Sequence, residues 1–177
     1  REAPRAYIGS TAAPNLIQYN LADGILIEHG DQPIIIGNYI DHNGAHGIHV
    51  QYARFGGDRI KISMNNIGYN GGKGIQFDHP TINGGIQPPR LISLTSSLLV
   101  GRTCRSCLVE VFLSDLDSSG SGEGYEYLLS GEADGSGLFS IPLEGIPRCS
   151  TITTTAIDPQ GNTSEFSPNW LAGICRI

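Results

Sequence analysis

The sequence predicts an all-β molecule, and three observations carry that expectation. Glycine accounts for 24 of 177 residues, about twice ordinary usage. Isoleucine occurs 22 times, whereas Met and Trp occur once each. Charged residues make up only 16%, with two lysines among the 11 basic groups. β-Branched side chains and turn glycines dominate over the straight-chain residues that favour helix, which excludes a helical bundle. A hydrophobic content of 39% can build a core and excludes a disordered tail.

Charge and hydropathy narrow the partners. A net charge of −6 lacks the basic footprint that phosphate contacts require, so no nucleic-acid partner is expected. No window holds about 18 consecutive apolar residues, so no membrane span is expected. The chain opens on Arg1 with no signal-peptide hydrophobic run, and reads as a processed product or a piece of a longer precursor. Composition shifts along its length. Residues 1–87 hold all five His and no Cys, whereas residues 88–177 hold all four Cys and no His. Between them, Pro88 and Pro89 deny a sheet ladder two consecutive donors. Two units, 1–87 and 88–177, are expected.

The first unit is a repeat. Segments 15–27, 38–50 and 65–77 align without a gap on the pattern N-x-I-x-x-N-x-x-x-G-I-x-[I/V/F]. Asn15, Asn38 and Asn65 share one column, Asn20, Asn43 and Asn70 a second, and Gly24, Gly47 and Gly74 a third. Ile17, Ile40 and Ile67 share another, followed by Ile25, Ile48 and Ile75, then Ile27, Val50 and Phe77. Within each copy the apolar residues recur every second position, which is strand periodicity. Short strands separated by Asn and Gly corners, once per ~20–25 residues, are what a coil of a β-solenoid requires. Ile34-Ile35-Ile36 and Ile60-Lys61-Ile62 supply further strands, with Ile35 and Ile62 equivalent. Stacked coils would place apolar columns inside and asparagine ladders at the corners.

This pattern resembles the right-handed parallel β-helix proteins of the pectate-lyase-like class, whose secreted members carry such N-x-I-x-x-N-x-x-x-G-I coils. The resemblance covers roughly residues 8–87 and implies about three to four coils. It speaks for an architecture rather than an activity, because the repeated residues are structural.

After Pro89 short alternating segments punctuated by turn residues read as an antiparallel sandwich, with strands at 91–95, 98–101, 108–113, 125–132, 137–142 and 151–158. The run 156–167, A-I-D-P-Q-G-N-T-S-E-F-S, resembles the closing strands of bacterial immunoglobulin-like domains. The fold expected for the whole chain is therefore a parallel β-helix followed by an immunoglobulin-like β-sandwich. Cys104, Cys107, Cys149 and Cys175 allow three disulfide connectivities. A zinc ribbon would need a second close pair, and a redox role for Cys104-Arg105-Ser106-Cys107 would need a helix N-terminus. The preferred reading is Cys104–Cys107 closing a turn and Cys149–Cys175 tying down the tail, in an extracellular or cell-surface setting.

Candidate chemistry is sparse. Asp115, Asp117 and Glu123 give segment 115–123 the oxygen-rich look of a calcium loop, without the spacing of an EF-hand. Apart from that calcium set, no cofactor is expected. Asn162-Thr163-Ser164 is a glycosylation sequon, and Asp158 and Asn162 are placed to cap their own turn. Outward positions on the strand after each repeat Gly are Leu26 and Glu28, His49 and Gln51, and Gln76 and Asp78. Glu28 and Asp78 lie two coils, ~9.6 Å, apart, too wide for a retaining carboxylate pair. Polygalacturonase-type hydrolases carry a G-H-G and an R-I-K. Here Ala45-His46-Gly47 and Arg59-Ile60-Lys61 fall half a coil apart, without an adjacent Asp pair. His42, His46 and His49 are spaced H-x-x-x-H-x-x-H, but on a turning coil the three are expected to point different ways. The lengthened second coil nominates Arg54 and Phe55 as partner contacts.

The functional expectation is a non-enzymatic extracellular structural or adhesive module, with a polysaccharide-binding or polysaccharide-degrading protein as the alternative. The first complete coil is expected to begin near Asn15, leaving Ile17, Ile25 and Ile27 uncovered. That edge implies either a longer precursor or head-to-tail self-association into a filament.

Overall fold

The computed structural model describes residues 5–28, 32–51, 59–115, 122–147 and 149–171. Nine short strands come first: β1 (Tyr7–Ile8), β2 (Leu16–Gln18), β3 (Ile25–Ile27), β4 (Ile34–Ile36), β5 (Tyr39–Asp41), β6 (Ile48–Val50), β7 (Lys61–Ser63), β8 (Asn66–Gly68) and β9 (Ile75–Phe77). They form three parallel sheets, β1-β4-β7, β2-β5-β8 and β3-β6-β9, so that every third strand pairs and the chain stacks in β-helix-like layers. Register follows the repeat: Ile17 pairs with Ile40 and Ile40 with Ile67, while Ile25, Ile48 and Ile75 align likewise. Ile35 pairs with Ile62. Strands three residues long cannot bury much singly. Stacking turns the columns into one core of Ile25, Ile27, Ile35, Ile40, Ile48, Val50, Ile60, Ile62, Ile67 and Ile75.

The first layer begins earlier than the repeat implies. β1 at Tyr7–Ile8 pairs with β4, so the coil starts near Tyr7 rather than Asn15. Ile25 and Ile27 are accordingly buried, and Ile17 is half-buried. Exposure at this end falls instead on outward side chains, chiefly Tyr7, Leu16, Tyr19 and Leu21.

A 3-10 turn at Ile82–Gly85 leads into seven antiparallel strands: β10 (Arg90–Leu94), β11 (Leu98–Arg102), β12 (Leu108–Ser114), β13 (Gly124–Glu132), β14 (Leu138–Pro142), β15 (Thr151–Ile157) and β16 (Trp170–Leu171). They make a three-stranded sheet, β10-β11-β14, and a four-stranded sheet, β13-β12-β15-β16. β16 was not legible as a strand, because it pairs over only two residues. Leu91, Leu99, Val109, Val111, Leu113, Phe139, Ile141 and Ile152 form a second core. Cys104 and Cys107 are disulfide-bonded across the β11–β12 turn, with Cα atoms 5.4 Å apart. Cys149 is also disulfide-bonded, and its expected partner Cys175 lies outside the described residues.

β12 explains how the two sets of sheets meet. All but its first residue are buried, which a strand achieves only when both faces are covered. Val109, Val111 and Leu113 face the second core, whereas Phe112 joins the first together with Phe166. Phe112 and Phe166 meet edge to face at 5.4 Å.

Candidate functional site

Two asparagine ladders run along the stack. Asn15 Nδ2 donates to Asn38 Oδ1 at 2.9 Å, and Asn38 Nδ2 to Asn65 Oδ1 at 2.9 Å. Asn20 Nδ2 donates to Asn43 Oδ1 at 2.8 Å, and Asn43 Nδ2 to Asn70 Oδ1 at 2.9 Å. The same oxygens accept the backbone N–H of the asparagine one layer earlier. From the second layer on, each amide also donates to a carbonyl of the layer before it. The ladder itself runs from each asparagine to the next layer, so the last rung has no asparagine ahead of it.

Side chains from the C-terminal half meet that last layer. Glu123 takes the place of the next rung, its two oxygens accepting the N–H and the Nδ2 of Asn70 at 2.9 and 2.8 Å. Glu110 accepts from Ser63 Oγ at 2.5 Å and from the Met64 N–H at 3.1 Å. Thr163 Oγ1 accepts the Ile62 N–H, Glu165 the Phe77 N–H, and Asn162 Oδ1 the Arg59 N–H. From the 3-10 turn that precedes that half, Asn83 Oδ1 accepts the Ile60 N–H at 2.7 Å. Burial raises the Glu110 carboxyl above the usual range, partly offset by its hydrogen bonds from Ser63 and Met64 and by the Lys61 charge.

This arrangement places two groups of residues singled out in the sequence. Of the expected calcium set, Glu123 is buried and its two oxygens accept from Asn70. Asp117 lies outside the described residues, as do Arg54 and Phe55. Asn162 of the sequon is buried, with Nδ2 on Asp158 Oδ2 and Oδ1 on Arg59. A glycan there would displace a contact that closes the stack.

The histidines separate in a way their spacing did not suggest. His42 stands in a stack of rings, Tyr19–His42–Tyr69–Tyr125, with centroids 5.0, 5.4 and 5.9 Å apart. His46 and His49 do converge, with ring centroids 5.0 Å apart, and Asp23 from the preceding layer joins them. The expectation that the three histidines point different ways therefore fails for this pair. Asp23 Oδ1 accepts the His46 backbone N–H, and Oδ2 lies 2.9 Å from His49 Nδ1. The other ring nitrogen of His49 lies 2.8 Å from Asp78 Oδ1, so two carboxylates grip one ring. Burial disfavours the charged imidazole, yet the bonds to Asp78 and Asp23 and their charges hold its pKa above the ordinary value. Burial likewise pushes the Asp23 carboxyl up, but His49 and the His46 amide hold it below its ordinary value.

Asp23 was missed because it belongs to a different repeat. Aligning whole columns rather than single strands finds it: Asp23, His46 and Lys73 precede the three repeat glycines, and His49 stands two residues beyond the second. No family model matches the chain, and no curated protein matches it.

Proposed function

We propose that the chain is a non-enzymatic structural module of an extracellular assembly. In this reading residues 1–87 form a short right-handed parallel β-helix, and residues 88–177 form an immunoglobulin-like sandwich that closes its end. The handedness follows the strong preference of parallel crossovers. The sheet order β10-β11-β14 against β13-β12-β15-β16 is the ordering that supports the sandwich assignment. The observation that carries the functional reading is the closure itself: Glu110, Glu123, Thr163 and Glu165 are spent on meeting donors of the last layer. An extracellular setting is supported by the Cys104–Cys107 disulfide.

Assembly then has a direction. Head-to-tail joining of bare coil ends would have to displace Glu110 and Glu123, so growth of the stack is better matched by further coils of the same kind on the β1 side. Tyr7, Leu16, Tyr19 and Leu21, exposed there, are the side chains such an extension or an adhesive partner would touch. A panel of neutral and acidic glycans tests the reading. The expected result is no release of reducing ends or unsaturated products. Release that disappears in Asp78→Ala or Glu28→Ala would overturn it in favour of a polysaccharide-degrading protein.

A further inference from the structure

One cluster of side chains belongs neither to the ladders nor to the closure. Asp23, His46 and His49 are each partly buried on the outside of the stack, and their ligand-capable atoms all lie within 4.8 Å of one another. We propose that they form a binding site for a divalent transition-metal ion of the zinc type.

Two imidazoles and a carboxylate suit zinc and its neighbours rather than calcium, and leave coordination positions for water. Three features of the surroundings fit that use. The 2.9 Å contact between His49 Nδ1 and Asp23 Oδ2 now holds a proton where an ion would bridge. Binding transfers that proton to solvent and gives the ion the Nδ1 lone pair and a carboxylate oxygen. Asp78 Oδ1, 2.8 Å from His49 Nε2, then keeps the remaining N–H and fixes the ring, as outer carboxylates do behind metal-bound histidines. Finally, the nearby Lys73 ammonium lies 3.6 Å from Glu165, which draws its charge toward another carboxylate. His46 presents a second exchange. Its Nδ1 accepts the Lys73 N–H at 3.0 Å, and coordination through that nitrogen replaces this bond with the ion. The ring packs closely on Gly72, where a Cβ would stand 2.6 Å from Nδ1, so only glycine lets the imidazole sit there.

Calorimetric titration of the chelator-treated full chain with zinc chloride, with calcium chloride as the control, tests the proposal. Saturable binding of one equivalent of zinc and no heat from calcium are expected. His49→Gln and the double variant His46→Gln/His49→Gln should abolish binding while circular dichroism confirms an unchanged fold. Asp78→Asn keeps the ligands and the fold, and should weaken binding by about 10–100-fold. Absence of saturable zinc binding in the wild type would overturn the site. So would undiminished binding in the folded double variant, which would assign the ion to other side chains.

Discussion

Asn43 shows what a repeated residue contributes. Its Oδ1 accepts from both the N–H and the Nδ2 of Asn20, and its own amide donates to Ile17 O and Asn70 Oδ1. Removing it strands donors in a buried corner, so Asn43→Ala should cost ~2–3 kcal/mol. That corresponds to about 5–10 °C in a thermal melt of a chain this size. Asn20→Ala, at the exposed first rung, should cost less than ~1 kcal/mol. Equal losses would mean the ladder is not an ordered hydrogen-bond chain. Gly47 is a second case, because a Cβ there would stand 2.5 Å from Ile67 Cγ2 and 2.7 Å from Gly74 O. Gly47→Ala should therefore cost ~1–3 kcal/mol of overpacking, read as a fall in urea midpoint. Gly135→Ala, with nothing within 4 Å, should stay within ~0.5 kcal/mol of wild type. The asparagine and glycine columns were legible because the same geometric demand recurs in each layer. Glu123 was not, because its partner is 53 residues away and no local pattern announces a carboxylate standing in for an amide.

Among the elements, β12 carries the most constraint, since its alternate side chains serve two cores. The sequence Leu-Val-Glu-Val-Phe-Leu reads easily as a strand, but the burial of Glu110 does not follow from it. An acid at an alternating position reads as solvent-facing until a second surface is known to cover it. That burial has a pH signature. The folded carboxyl titrates above its ordinary value of 4.5, so the native state holds this proton to higher pH than the unfolded chain does. Its contribution to stability therefore falls as pH rises from about 4.5 through the folded pKa, and is level above it. Urea midpoints measured across that window should show this component in wild type and lose it in Glu110→Gln. Parallel slopes for the two proteins would rule the assignment out. β1 illustrates the opposite limit of legibility. Tyr7–Ile8 lacks the N-x-I signature, and only pairing with β4 identifies it.

At the scale of the whole molecule, the layers are interchangeable in register. Residues 36, 37 and 38 occupy the places that 63, 64 and 65 occupy one layer later, as the Ile36–Ser63 pairing shows. Deleting residues 38–64 therefore removes one complete coil and leaves Asn65 following Gly37. The shortened chain should fold as a soluble species with a lower melting temperature, and the Asn70 amide should stay protected from hydrogen exchange beneath Glu123. Deleting residues 38–57, which is not a whole coil, should prevent folding. If both deletions behave alike, the columns are not what sets the register.

The separation between the last layer and the groups that close it also governs the order of events during synthesis. The Phe77 N–H waits for the Glu165 carboxylate, 88 residues later. At translation rates of roughly 5–20 residues per second, the nascent stack holds an unclosed strand edge for about 4–18 s. The coils can form as they emerge, but they become safe from edge-to-edge pairing only once Glu165 has been made. The vulnerable interval is thus fixed by the length of the closing half, and adding coils at the other end would not lengthen it.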